Sequence, residues 1–265
     1  MKPTKGTHSE CVPFSMNSML HTHWIRTSFL FLTTLLCIGG DKYPHPIDTK
    51  VLEEWRAGEV VEEKAVIAYG IDKCFTASPI PDHVWQRMQG KTYKENPHIG
   101  RDELRHIRTL HWDYDNRIHI GEMICNEVIA DRLVEIFCKL YEAKYPIQHM
   151  VLPDVYDADD ETQMKANNSS CFCYRVVSGS KKLSKHARGL AVDINTFYNP
   201  YYKVRSDGTR YVQPSNAAKY CDRTKSFPYK IDHQDLAYKL FKERGFEWGG
   251  DWKSVKDYQH FEYME

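Results

Sequence analysis

The longest stretch with a regular hydrophobic repeat lies between residues 126 and 146. Its apolar residues recur at the spacing that places them on one face of a helix: Val128, Ile129, Leu133, Ile136, Phe137 and Leu140. Asn126 stands before the repeat, where its side chain can cap a helix, and Pro146 ends the region. The pattern predicts an amphipathic helix that begins near Asn126.

Residues 189–195 follow a different pattern, in which apolar residues alternate with others. Leu190, Val192 and Ile194 fall on one face of an extended chain. The opposite face carries the carboxylate of Asp193. This segment is therefore predicted to be a half-buried strand with an acidic residue on its polar face.

The remaining apolar runs are shorter, and residues typical of turns separate them. They predict helices at 82–90 and 232–246, a short helix or strand at 60–70, a helix followed by a strand at 101–113, strands at 149–156 and 258–264, a turn at 247–252 and a hairpin turn at 206–209. Helices and strands are mixed without the β-α-β alternation of parallel sheets. This mixture indicates an α+β fold.

The first forty residues are typical of a secretory signal. Arg26 supplies a positive charge, residues 28–38 are mainly apolar, and two glycines follow them. The apolar stretch is shorter than the about 20 residues that a membrane-spanning helix needs. A buried N-terminal helix is an alternative. A lipid anchor on Cys37 is another, but the two leucines before it lack the small side chains that such a site prefers.

We therefore predict an exported protein, periplasmic or secreted, without a stable membrane span. Residues 1–40 form the export segment in this prediction, and residues 41–84 form an N-terminal extension packed on the domain. Residues 85–265 then form one compact domain. The 265 residues are enough for one large domain with a core, because 42% of them are hydrophobic.

The charge balance argues against a protein that binds nucleic acid through a basic surface. Lys and Arg together number 36, as do Asp and Glu, so the formal net charge is zero. We expect no nucleic-acid partner and a monomer. The eight cysteines contain no C-x-x-C pair. Cys171 and Cys173 are too close in sequence for an easy mutual disulfide, but either could pair with Cys74 or Cys221 in an oxidising compartment.

The sequence SKHARGLAVDIN contains the first candidate metal ligands. His186 lies just before the predicted strand, and Asp193 follows seven residues later on it. A hydrolytic zinc site needs about three protein ligands with nitrogen or oxygen donors and one open position for water. Gly189 lets the backbone bend between the two residues, and Ser184 could hydrogen-bond to nearby backbone. The alternative is an exposed histidine and a solvated aspartate.

The C-terminal sequence DYQHFEY contains further candidates. His260 and Glu262 share a strand face, so His260 can be a third ligand and Glu262 can support it by a hydrogen bond. Asp257 lies three residues before His260 and would point away on a regular strand. The chain must therefore turn there if Asp257 is to reach a metal-bound water. The alternative is an acidic surface residue in a terminal strand.

The complete pattern resembles a known family. It consists of S-x-H-x-x-G-x-A-x-D at 184–193, W-G-G-x-W at 248–252 and D-x-x-H at 257–260. Together these motifs resemble the zinc D-alanyl-D-alanine carboxypeptidase and L-alanyl-D-glutamate endopeptidase family, and the likeness extends over roughly residues 85–263. The resemblance implies a compact domain of the hedgehog/DD-peptidase-like kind, with a central antiparallel sheet and flanking helices. It also implies one Zn²⁺ and peptidoglycan stem peptides as substrates.

The resemblance also implies a role for each matching residue. His186, Asp193 and His260 would hold the zinc, Asp257 would be the catalytic base, and Arg175 would stabilise the oxyanion. Ser184, Trp252 and Glu262 would support the site or contact the substrate. One feature departs from the family's usual pattern, and another indicates one branch of the family. Cys171 and Cys173 replace small or amide side chains, and the base is an aspartate, as in the family's endopeptidases.

Three other functions remain open. The chain could be a D,D-carboxypeptidase that removes a terminal D-alanine, or a non-catalytic cell-wall-binding domain of the same fold. It could also be an adhesion protein held by disulfides, which predicts no zinc. Aromatic residues at 198–202, together with Trp248 and Trp252, could line a substrate cleft or pack in the core.

Overall fold

The computed structural model describes residues 47–177 and 182–264. Within these ranges no helix has both the length and the apolar character that a membrane span requires. The predicted export segment at 1–40 lies outside the described residues. It stays a prediction, which N-terminal sequencing of the mature protein would check.

The described residues form six α-helices and three antiparallel sheets, which confirms the α+β prediction. The helices are α1 (Lys50–Glu53), α2 (Glu63–Tyr69), α3 (Asp82–Met88), α4 (Glu127–Glu142), α5 (Asp160–Lys165) and α6 (Leu236–Glu243). The strands are β1 (Val60–Val61), β2 (Thr76–Pro79), β3 (Leu104–Trp112), β4 (Ile118–Asn126), β5 (Ala191–Asp193), β6 (Tyr201–Val204), β7 (Arg210–Gln213), β8 (Phe246–Trp248), β9 (Lys256–Asp257) and β10 (His260–Tyr263).

The first sheet has the strand order β1-β4-β3-β2, and the long hairpin of β3 and β4 is its centre. Helix α4 packs on this sheet through Ile129, Leu133 and other buried apolar residues of the predicted repeat. The Asn126 side chain accepts a hydrogen bond from the backbone N–H of Val128, which confirms the predicted cap. Val128 itself is 50% exposed, so its inclusion in the buried face was wrong.

The second sheet has the order β5-β10-β8 and lies in the same core as α4 and α6. Strands β5 and β10 pair so that Asp193 stands opposite His260. The prediction that β5 is only half buried was wrong, since Asp193 is just 6% exposed. Its carboxylate is covered by the side chains of His186 and His260, which lie 3.2 and 3.1 Å from it.

The third sheet has the order β7-β6-β9. Strands β6 and β7 form a hairpin whose turn occupies the predicted positions 206–209. Strand β9 pairs with β6, and Asp257 stands opposite Tyr201. The second and third sheets are therefore linked by the short segment from β9 to β10, which carries two of the predicted site residues.

Several sequence-based boundaries and pairings differ from the structure. The predicted strand at 149–156 is not formed. Pro153 begins a 3₁₀ helix, Pro153–Tyr156, because its fixed backbone angle favours the first turn of a helix. Helix α6 begins four residues later than predicted, since the Asp235 side chain caps it by accepting from Ala237 and Tyr238.

The proposed pairings of Cys171 or Cys173 with Cys74 or Cys221 are not formed. All four are free thiols, and both Cys171 and Cys173 are buried. Burial raises the pKa of the Cys173 thiol to about 11, which keeps it protonated and unreactive near neutrality.

Candidate metal centre

Three polar side chains converge at the point where β5 meets β10. His186 Nε2 lies 3.2 Å from Asp193 Oδ2 and 3.1 Å from His260 Nδ1. His260 Nδ1 lies 3.1 Å from Asp193 Oδ1. All three residues are buried. The structure thus brings together the residues that the sequence predicted as ligands, although they lie up to 74 positions apart.

Hydrogen bonds on the far side of each ring orient the two imidazoles. His186 Nδ1 lies 2.6 Å from the carbonyl oxygen of Cys171, so it donates its N–H there and leaves Nε2 with a free lone pair. His260 Nε2 lies 3.3 Å from Glu262 Oε2, which leaves Nδ1 facing the cluster. This second contact is the geometry that the predicted supporting role of Glu262 requires, and the role itself stays a prediction.

The electrostatics of the cluster favour a positive charge. Burial alone would raise the pKa of Asp193, but the attraction and hydrogen bonds of His186 and His260 hold it well below its usual value. Burial lowers the pKa of His260, yet its hydrogen bonds to Asp193 and Glu262 outweigh that effect and raise it to about 10. A cation that binds here therefore displaces a proton from His260, and binding weakens as pH falls.

The backbone between the first two ligands depends on Gly189. His186 begins a short 3₁₀ helix, His186–Arg188, and Gly189 ends it in the left-handed region at φ +66°. A Cβ at this position would lie 2.6 Å from the backbone nitrogen of Asn126. Only glycine fits there without movement of the chain, because the contact is with backbone. Gly189 thus sets the turn between His186 and β5.

Asp257 lies beside the three candidate ligands at the end of β9. Its Oδ1 atom is buried and has no hydrogen-bond partner in the described part of the chain. Burial raises the pKa of its carboxyl to about 7. Gly249 packs against it so closely that a Cβ there would lie 2.6 Å from the Asp257 carbonyl oxygen. The predicted turn before His260 is thus present, and Asp257 faces the same cleft as His260.

Arg175 is connected to the cluster through Ser184. Arg175 Nη1 donates to Ser184 Oγ at 3.1 Å, and the same oxygen accepts from the backbone N–H of His186 at 3.2 Å. Arg175 Nε lies 2.6 Å from Asp160 Oδ2, at the start of α5. Ser184 therefore positions both the arginine and the first histidine. No sequence motif indicated Asp160, because only the tertiary fold brings α5 to this place.

These residues line one open cleft with a volume of about 1140 Å³. Trp252 lies on its wall, with its ring 5.2 Å from that of His260, and Tyr201 also faces it. Trp248 does not, since it is 4% exposed and packs in the core. The aromatic residues are thus divided between the two roles that the sequence left open.

The donor set fits a zinc ion. Bonds of about 2.0–2.2 Å in tetrahedral geometry place neighbouring donor atoms about 3.3–3.6 Å apart. The two ring nitrogens lie 3.1 Å apart, and they lie 3.2 and 3.1 Å from the Oδ2 and Oδ1 atoms of Asp193, respectively. Two imidazole nitrogens and a carboxylate, with a cleft on the open side, form the ligand set of hydrolytic rather than structural zinc sites. His186, Asp193 and His260 would hold the ion.

Residues 178–263 match a family model described as D-alanyl-D-alanine carboxypeptidase. The match confirms the resemblance over these residues, which include all three candidate ligands and Asp257, and it supports a peptidase of this kind. It begins three residues after Arg175, so the role of Arg175 rests on geometry and on the wider resemblance. No curated protein and no solved structure matches the chain.

Proposed function

We propose that this chain is a zinc-dependent peptidase that hydrolyses peptide bonds in peptidoglycan stem peptides. The observation that carries the proposal is the convergence of His186, Asp193 and His260 on one point of an open cleft. Asp257 lies beside them with an Oδ1 atom that has no hydrogen-bond partner in the described residues, and its carboxylate supplies a base. The family match over residues 178–263 supports the peptidase class and the substrate type.

When bound, a zinc ion lowers the pKa of a coordinated water to about 7 and polarises the scissile carbonyl. Asp257 then accepts the proton of the attacking water through its free Oδ1 atom. The same carboxyl afterwards donates this proton to the leaving amine. One side chain therefore serves both steps. Burial raises its pKa to about 7 when no metal is bound, and a neighbouring cation would lower it, so the carboxylate is ionised and can accept a proton near neutrality.

Arg175 offsets the negative charge that develops on the scissile carbonyl oxygen. Its guanidinium lines the cleft and is held from two sides by Asp160 and Ser184. A positioned donor of this kind typically contributes about 3–4 kcal/mol to transition-state stabilisation.

We expect Arg175→Gln to lower kcat about 100- to 1,000-fold while the zinc content stays unchanged, because the arginine does not contact the ion. Steady-state kinetics and elemental analysis of the same preparation would measure both. Arg244→Gln is a suitable control, since Arg244 pairs with Glu135 outside the cleft. An unchanged kcat in Arg175→Gln would show that Arg175 does not stabilise the oxyanion.

Two kinds of cleavage fit this site. An endopeptidase cuts an internal bond, for which the aspartate at position 257 is the feature that resembles the family's endopeptidases. A D,D-carboxypeptidase removes a terminal D-alanine and needs a free carboxylate next to the cut. Stem peptides with an amidated C-terminus separate the two, because only an endopeptidase would still cleave them at the same bond.

Digestion of purified peptidoglycan tests the proposed function. We expect the protein to release peptides that mass spectrometry identifies, a chelator to stop the release, and added zinc to restore it. The Asp257→Asn variant controls for a contaminating hydrolase. Binding to peptidoglycan without any release would favour a non-catalytic cell-wall-binding domain, and release that a chelator does not reduce would contradict the zinc mechanism.

A further inference from the structure

One face of the β6–β7 hairpin forms a wall of the cleft. Tyr201, Lys203, Arg205, Tyr211 and Gln213 line it, whereas the residues between them do not. The alternation follows from the strand pleat, which sends successive side chains to opposite faces. Strand β6 is also paired with β9, where Tyr201 stands opposite Asp257. The wall is therefore continuous with the strand that carries the proposed base.

The acidic side chains of the cleft are already engaged in its interior. Asp160 pairs with Arg175, Asp193 contacts both histidines, and Glu262 contacts His260. Asp257 is the proposed base. The cleft's carboxylates are thus committed to the reaction centre and do not neutralise its outer wall.

The basic side chains of the wall have no such partners. Lys203 and Arg205 are exposed, and neither forms an ion pair in the ranges that the structure describes, although Asp207 on the hairpin turn interacts electrostatically with Arg205. Arg188, which also lines the cleft, is exposed and forms no ion pair within the described residues. Because the chain as a whole is neutral, this excess of positive charge is a local property of the cleft.

Arg205 is held in place by an aromatic ring. Its guanidinium carbon lies 5.0 Å from the ring centroid of Tyr211, which stands opposite Lys203 on the neighbouring strand. A cation stacked in this way keeps its outer N–H donors free for a planar carboxylate. The arrangement resembles a prepared anion site more than a mobile solvated side chain.

We propose that the β6–β7 hairpin is an anion-selecting wall, in which Lys203 and Arg205 bind a carboxylate of the substrate peptide away from the bond that is cut. This inference rests on the proposed function, since it identifies the substrate as an acidic peptide. The carboxylate belongs either to an internal acidic residue or to the peptide's C-terminus. Both sources present the same chemistry to the wall.

Three synthetic stem peptides distinguish the sources: the parent acid, a form with its internal carboxylate amidated, and a form with its C-terminus amidated. Titration calorimetry on the Asp257→Asn variant measures binding without turnover. Exposed cation–carboxylate pairs typically contribute about 2- to 5-fold each in affinity, so we expect the parent to bind about 10-fold more tightly than one of the amides. The amide that loses affinity identifies the source.

The double substitution Lys203→Ala with Arg205→Ala should remove this preference. Arg210→Ala is the matched control: Arg210 lies on the same hairpin but stacks on Tyr202, on the face turned away from the cleft. It should keep the preference. With position 257 intact, the double variant should also lose the preference for the parent acid in kcat/KM, so that the parent and the amide that identifies the source are hydrolysed with similar kcat/KM. High salt should reduce the preference in wild type.

Failure of this inference is distinct from failure of the proposed function. Equal affinity for all three peptides, or a preference that survives the double substitution, would overturn the anion-selecting wall even if wild type hydrolyses them all. A preference that is lost in the double variant would support the wall even if wild type released no product. In that case only the peptidase proposal would fail.

Discussion

We expect the His260→Ala variant to bind zinc at least about 100-fold more weakly than wild type and to hydrolyse peptides only at background rate. Loss of a mere hydrogen-bond partner of a ligand typically costs about 10- to 100-fold in metal affinity, and this variant loses a ligand itself. Elemental analysis after dialysis against a weak chelator, together with an activity assay, would measure the effect.

The same variant should also be less stable. His260 Nδ1 lies 3.1 Å from Asp193 Oδ1, so its removal takes a partner from a buried carboxylate. Loss of one member of a buried ion pair typically costs about 3–5 kcal/mol. His83→Ala is the control, because His83 is exposed on α3 and outside the cleft. Stoichiometric zinc in dialysed His260→Ala would show that His260 is not a ligand.

Asp257→Asn should lower turnover by about 100- to 10,000-fold and leave the zinc content at that of wild type. This range is the usual contribution of a general acid–base group. Asparagine keeps the size of the side chain but cannot accept the water's proton. Single-turnover hydrolysis with parallel elemental analysis would separate the two effects. Loss of zinc in this variant would make Asp257 a ligand instead of the base.

The pH profile provides a second check on Asp257. A general base works in its ionised form, so activity is present above the carboxyl's pKa and is lost as pH falls through it. Burial raises that pKa to about 7, and a nearby cation would lower it, so we expect the acid limb of kcat/KM at or below about pH 7. The control is Asp251→Asn, which lies outside the cleft and should keep the wild-type profile. If the acid limb persists in Asp257→Asn, that limb reports the ionisation of another group.

The Asp257→Asn variant should also be at least as stable as wild type at neutral pH when no metal is bound. An acidic group whose pKa is raised by folding makes the folded state less stable once the pH is high enough to ionise the group in the unfolded chain. Its contribution therefore decreases as pH rises from the ordinary value of 3.8 to about 7. A neutral amide does not carry this cost, so lost activity in the variant cannot be attributed to unfolding.

The sequence predicted those features that local patterns determine. Helix α4 has its apolar repeat and its Asn126 cap within one continuous segment. His186 and Asp193 lie within a single turn and strand, so their proximity could also be predicted from the sequence. The association of His260 with both came from the combined motif, because pairing of β5 with β10 joins residues 67 positions apart.

Other features depend on tertiary contacts that no local pattern records. Asp160 reaches Arg175 only because α5 packs beside the cleft, and a backbone carbonyl, that of Cys171, orients His186. The hairpin turn at 206–209 was predicted, but the face that β6 and β7 present to the cleft was not. It is fixed by the pairing of β6 with β9. The charge of the wall becomes visible only once that face is known.

Anomalous diffraction at the zinc absorption edge, from crystals of the zinc-loaded protein, would locate the ion relative to His186, Asp193 and His260. We predict one strong peak within about 2.0–2.2 Å of His186 Nε2, His260 Nδ1 and a carboxylate oxygen of Asp193. A peak at other residues, or no peak between these three side chains, would show that they do not hold the zinc ion.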